Sequence, residues 1–132
     1  MELLKITEPE EIRCEELRER ARNTPLTPSR WHFVAREASG DELAFVSFDV
    51  AEHRDSLVLY ELWVAVAHRG KGVGTALLDQ AARIARESGY ESLLVRPSPL
   101  SIGLTQRRLW HWYRDRGFAP WSEDPKVLQR LV

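Results

Sequence analysis

The residues best suited to chemistry form one short run, Arg69-Gly70-Lys71-Gly72-Val73-Gly74-Thr75. Its three glycines remove the Cβ atoms that would hold a bulky anion away from the backbone. Arg69 and Lys71 add full positive charge beside them. A nearly all-apolar stretch, residues 57–66, precedes the run, and an amphipathic pattern, residues 76–86, follows it. A strand, a glycine turn and a helix start in that order expose N–H groups with no internal partner, at the positive end of a helix dipole. Such a place takes a phosphate. Spacing excludes two familiar phosphate loops. No stretch reads Gly, four residues, Gly-Lys-Ser/Thr, and the third glycine comes one residue early for G-x-G-x-x-G.

Proton-transfer groups lie nearby. Glu61 is the one carboxylate inside the apolar stretch, and strict alternation would place it on one face with Leu59 and Trp63. It can serve as a base for an incoming ammonium or pair with an arginine for structure. Tyr113 stands near the end of the last long helical pattern, and its phenol carries a transferable proton at neutral pH. Gln106 lies seven residues before it. His32, His53, His68 and His111 do not pair with one another or with Cys14 at metal-ligand spacing, so no metal is expected. Cys14 sits on a charged helical pattern and reads as a filler, not a nucleophile, and no Gly-x-Ser-x-Gly elbow is present. Arg107, Arg108, Arg114 and Arg116 make a basic helix face whose default state is solvated.

These groups must be held by one domain, residues 1–132. A net charge of −1 argues against nucleic-acid binding by charge alone. No apolar run approaches the roughly 20 residues of a membrane span, and Met1-Glu2-Leu3-Leu4-Lys5 does not read as a secretion signal. A single cysteine forbids an internal disulfide and fits a reducing, cytoplasmic setting.

Strands are expected at residues 3–7, 31–37, 43–50, 57–66, 92–96 and 126–131, and helices at 10–23, 73–88 and 104–116. Ser39-Gly40-Asp41 reads as a hairpin turn, Gly89 as a helix stop, and Pro97 and Pro99 as the end of a strand. The result is a mixed α/β domain with helices on a largely antiparallel sheet. Its central strand is apolar on both faces, as a strand covered on both sides must be.

The glycine run resembles the acetyl-coenzyme A loop of the GNAT superfamily of N-acetyltransferases, Gln/Arg-x-x-Gly-x-Gly/Ala, with Arg69, Gly72 and Gly74 in place. Tyr113-Arg114-Asp115-Arg116-Gly117-Phe118 is similar to the Tyr, three residues, Gly-Phe that often closes the family's last long helix. The resemblance runs from about Leu3 to the C-terminus. It implies central parallel strands that splay apart, with pantetheine along Leu62, Trp63 and Val64 like an added strand. Pyrophosphate would then rest on the amides of Gly70, Lys71, Gly72, Val73, Gly74 and Thr75. It also implies Tyr113 as the acid that protonates the coenzyme A thiolate, and Glu61 as a base acting directly or through water. Gln106 matches a position where relatives often carry an Asn that touches the cofactor, and Leu109 replaces a residue that is commonly small. The expected reaction is direct transfer from acetyl-CoA to an amine on a small molecule or a peptide, by way of a ternary complex. Homodimers are common in the family. A non-catalytic acyl-CoA-binding module, and a transferase for another acyl group or acceptor, are the competing readings. Residues 23–29 and 97–103 are expected to shape the acceptor pocket.

Overall fold

The computed structural model describes residues 1–50, 55–99 and 105–132. In chain order these form β1 (Glu2–Ile6), α1 (Glu15–Asn23), β2 (Arg30–Arg36), β3 (Glu42–Asp49), β4 (Ser56–Val64), α2 (Val73–Glu87), β5 (Ser92–Val95), α3 (Gln106–Arg114), β6 (Ala119–Pro120) and β7 (Leu128–Leu131). Short 3₁₀ turns stand at Pro9–Glu11 and Val66–His68. One sheet has the order β1-β2-β3-β4-β5-β7-β6. Among the described residues only β4 and β5 pair in parallel.

Each face of the sheet is covered. α1 lays Leu17 and Ala21 over Ile6, Val34 and Phe45. α2 and α3 cover the other face, where Leu77, Leu78, Ala81, Ala85 and Tyr113 meet Phe33, Val46, Phe48, Leu57, Leu59 and Val95. Leu77 and Leu78 are each 1% exposed, and burial of a leucine side chain is worth about 1.5–3 kcal/mol. Packing of this stripe, more than helix propensity, holds α2 in place.

The expected sheet with helices on both faces is the observed one, and the differences are local. The helix expected at 10–23 divides into a 3₁₀ turn and α1. A carboxylate from the far end of a hairpin causes the break. Glu42 Oε1 accepts the N–H groups of Arg13 (2.8 Å) and Cys14 (2.5 Å), which therefore do not continue a helix. Arg36 closes the arrangement on Glu42 Oε2 at 2.8 Å. Burial alone pushes the Glu42 carboxyl up, but the Cys14 N–H, the Arg36 guanidinium and the Arg13 N–H outweigh it and hold it below the usual carboxylate range. Glu42→Gln should cost about 2 kcal/mol in denaturant melts at neutral pH, because charge-assisted hydrogen bonds to a buried group are lost. A depressed folded pKa gives stability that is present above the unfolded value of about 4.3 and lost as pH falls through the folded one. The gap between wild type and variant should therefore shrink on acidification. A gap that stays constant down to about pH 3 would contradict this account.

The sheet opens in the middle. β4 and β5 pair from Ser56↔Ser92 to Leu59↔Val95 and no further, while β4 runs on to Val64. The closed end is stitched by Ser56 Oγ to Ser92 Oγ at 2.7 Å, with Gln129 Nε2 donating to Ser92 Oγ at 3.0 Å. At the open end Pro97 and Pro99 have no N–H with which to extend β5. A bulge at Tyr60 bends β4, since Ser47 pairs with Glu61 but Phe48 with Leu59.

Candidate functional site

The gap leads to the glycine turn. Beyond β4, Arg69 Nε donates to the Val64 carbonyl at 2.9 Å, and the guanidinium lies 4.7 Å from the Trp63 ring. Gly70 and Gly72 have φ of 74° and 81°, a left-handed conformation that strains any other residue. A Cβ on either would meet nothing within 4 Å, so the turn is open on its outer side. Gly72 is the N-cap of α2 and no side chain caps it. The first helical bond is Ala76 N–H to Gly72 O at 3.1 Å, which leaves the amides of Val73, Gly74 and Thr75 without helical partners. Lys71 is exposed beside them.

Gly74 has a packing job that its spacing does not reveal. A Cβ there would come within 2.9 Å of Trp112 Cζ2. The missing side chain admits the indole of α3, not a ligand. Arg116 completes this junction, donating from Nε to Thr75 Oγ1 at 2.8 Å and lying 4.2 Å from the Trp112 ring. Arg116 thus leaves the solvated face expected for it and stands beside the start of α2. Its four-residue spacing from Trp112 was the available signal.

Backbone groups line the open edge of β4. Ala65 N–H pairs with Leu43 O on β3 at 2.8 Å. Alternation then directs the N–H and C=O of Trp63 toward β3, and those of Leu62 and Val64 toward the gap. The gap widens into a cleft of about 560 Å³, lined by Leu59, Tyr60 and Glu61 of β4, Arg96 after β5, and Trp121 and Asp124 from the β6–β7 connection. Arg96 Nη2 and Asp124 Oδ2 pair across it at 3.2 Å. Asp124 was missed in the sequence, which offers no motif around it, whereas an aromatic wall from one of the tryptophans, here Trp121, is what the sequence allows.

Glu61 does not share a face with Leu59. The Tyr60 bulge reverses the alternation, so Leu59 joins the α2–α3 core while Glu61 and Trp63 face α1. Glu61 is 8% exposed. Arg20 Nε donates to its Oε2 at 3.1 Å and Thr24 Oγ1 lies 3.1 Å from its Oε1. Arg20 also stacks 4.4 Å from the Trp63 ring, whose Nε1 donates to Glu16 at 2.7 Å. The carboxylate therefore both lines the cleft and is braced by α1.

Tyr113 lies on the opposite face. It is 5% exposed, edge-on to Trp112 at 5.0 Å and to Phe118 at 5.4 Å. Burial pushes its phenol up from its ordinary value. It is not among the residues lining the Glu61 cleft. Gln106 opens α3 and its amide donates to the Pro97 carbonyl at 3.4 Å, at the end of β5. Leu109, Trp110 and Trp112 pack against the core. Cys14 precedes α1 and packs on the smaller core cluster. Among the described residues no group of His, Cys, Asp and Glu is placed to hold a metal, and no helix is long and apolar enough to cross a membrane. His53, Leu104 and most of the expected pocket loop 97–103 lie outside the described residues.

Among the described residues the sheet opens between its two parallel strands, with an uncapped glycine turn at the end of the opening, in a mixed α/β fold. The chain belongs to the acetyltransferase (GNAT) family, whose profile matches residues 1–118. Streptothricin acetyltransferase of Streptomyces lavendulae is 34% identical over 97 residues, 74% of this chain and 49% of that protein. The chain thus spans about half the length of this curated relative. The crystal structure of nourseothricin acetyltransferase superposes with a TM-score of 0.58 at 26% identity, covering 79% of this chain and 66% of that one. PaiA N-acetyltransferase from Thermoplasma acidophilum, solved with coenzyme A, gives a TM-score of 0.58 at 16% identity over 89% and 68% of the two chains, a likeness of fold.

Proposed function

We propose that this protein is an N-acetyltransferase that moves an acetyl group from acetyl-CoA to an amine in one direct step. The observation that carries this reading is the early end of the β4–β5 ladder at Leu59↔Val95, which leaves the Leu62 and Val64 backbone facing an open gap. Pantetheine amides pair with that edge as an added strand would. The diphosphate rests on the amides of Val73, Gly74 and Thr75, with Gly70 and Gly72 giving it room and Lys71 adding charge. Arg69 braces the turn from beneath through Val64 O. Gln106 stands where it can reach the arm from the β5 side.

The amine enters the cleft beside Glu61. An alkylammonium with a pKa of about 10.4 must lose a proton before it attacks, and Glu61 is the carboxylate at hand. The Val64 N–H polarises the thioester oxygen, and Tyr113 supplies the proton for the departing sulfur. The absence of a credible cysteine nucleophile argues for direct attack in a ternary complex. The streptothricin and nourseothricin acetyltransferases carry small-molecule acceptors in their names, and a cleft of about 560 Å³ is within the usual range for such ligands.

Thiol release from acetyl-CoA, followed with a panel of primary amines, tests the reading. Release should depend on the amine, with no burst of thiol in its absence. Tight coenzyme A binding with no turnover across the panel would leave a binding module instead.

A further inference from the structure

Thr24 closes α1, donating its N–H to Ala21 O at 3.3 Å, and is 3% exposed. Its hydroxyl lies between two acceptors, Glu61 Oε1 at 3.1 Å and the Arg20 carbonyl at 2.9 Å. A hydroxyl has one proton to give and can accept as well, whereas a carbonyl only accepts. With Glu61 ionised, the two neighbours compete for one proton. With Glu61 protonated, its O–H can be donated to Thr24 Oγ1 while the Thr24 proton goes to the Arg20 carbonyl, and all three groups are satisfied. Arg20 Nε holds the other oxygen, Oε2, at 3.1 Å.

We propose that Thr24 is a positioning residue for Glu61, its hydroxyl turning between the carboxylate and the Arg20 carbonyl so that Glu61 gains and loses the acceptor's proton without moving. The inference rests on the reading of Glu61 as the base. In the step concerned an N–H bond of the acceptor ammonium breaks, an O–H bond forms on Glu61, and the freed nitrogen lone pair attacks the thioester carbonyl. Thr24 is itself neither acid nor base here.

The remaining groups around Glu61 do not perform this role. Ser47 stands directly across the ladder on β3, yet its buried hydroxyl has no hydrogen-bond partner. His32, across from Ser47 on β2, is held below its usual pKa by burial and then by the Arg30 charge. Its Nε2 is also unpartnered. From α1, Arg20 presents a fixed cation. Arg96 and Asp124 line the same cleft as an ion pair.

The test compares Thr24→Val, Thr24→Ser, Ser47→Ala and Glu61→Gln by the pH profile of kcat. The ionised carboxylate takes one charge-assisted bond from Thr24, and the protonated carboxyl takes part in two neutral ones, so the hydroxyl serves both states. Thr24→Val should therefore displace the acidic limb of the profile and lower the plateau about tenfold. Thr24→Ser should restore both, and Ser47→Ala should leave the profile alone. If the valine variant does not fold, Thr24→Ala removes the same hydroxyl and is read in its place. An unchanged profile without the hydroxyl, or no rescue by serine, overturns the role of Thr24. A Glu61→Gln variant with full activity overturns the base reading instead, whatever Thr24 does.

Discussion

Gly72→Glu should weaken coenzyme A binding about a hundredfold or more and leave a folded domain. A Cβ at Gly72 meets no atom within 4 Å, so the new side chain enters open space and displaces nothing. The backbone has φ of 81° there, and a left-handed non-glycine residue costs roughly 1–2 kcal/mol. A domain stable by about 5–15 kcal/mol survives that. The charge is what matters for the ligand. One carboxylate at ~6 Å from a phosphate, at an effective dielectric of about 20, is unfavourable by nearly 3 kcal/mol, a factor of about a hundred in affinity. Gly72→Ala carries the same backbone strain without charge and should bind within a few-fold of wild type. Calorimetric titration of all three proteins with coenzyme A decides it. Wild-type affinity in a folded Gly72→Glu protein would show that the diphosphate lies elsewhere.

That turn was legible in the sequence because its physics is local. An apolar strand, glycines and a helix start follow one another within about twenty residues, and each says what backbone it needs. The same holds for the helices, whose apolar stripes are periodic. What stayed hidden depends on residues far apart in the chain. The face of Glu61 was misread because the bulge at Tyr60 comes from its pairing with Ser47 and Phe48, not from anything in β4 itself. The break before α1 comes from Glu42, 29 residues after Arg13. The packing reason for a glycine at 74 stayed hidden because its tryptophan neighbour lies on another helix. Trp121 and Asp124 reach the cleft only because β7 pairs with β5 and β6 with β7. Tertiary pairing decides such features, and one-dimensional spacing carries no trace of it.

Tyr113→Phe is expected to lower kcat by about a hundredfold or more with little change in coenzyme A affinity or melting temperature, the usual scale for loss of a positioned acid. The ring contacts survive the change, since the edge-on packing against Trp112 and Phe118 uses carbon atoms that phenylalanine keeps. Only the hydroxyl is removed. Burial raises the pKa of this phenol, so its acid form persists through neutral and moderately alkaline solution. A group needed in its protonated form, with its pKa raised, cannot cause a fall in rate below about pH 10, its unperturbed value. The position would also give the proposed reaction a direction. Glu61 faces α1 and Tyr113 belongs to the α2–α3 core, so the sheet would separate the proposed base from the proposed acid. On that proposal a thioester in the gap between β4 and β5 would be approached by the amine from one face, while its sulfur would take a proton from the other, and the two proton transfers would not compete for one cavity. Steady-state kinetics from about pH 6 to 10, with KM for acetyl-CoA measured alongside kcat, tests the assignment. A Tyr113→Phe enzyme with wild-type kcat would take Tyr113 out of the mechanism, and a wild-type rate that falls between about pH 8 and 9 and no longer falls in the variant would keep Tyr113 as the acid but overturn its raised pKa.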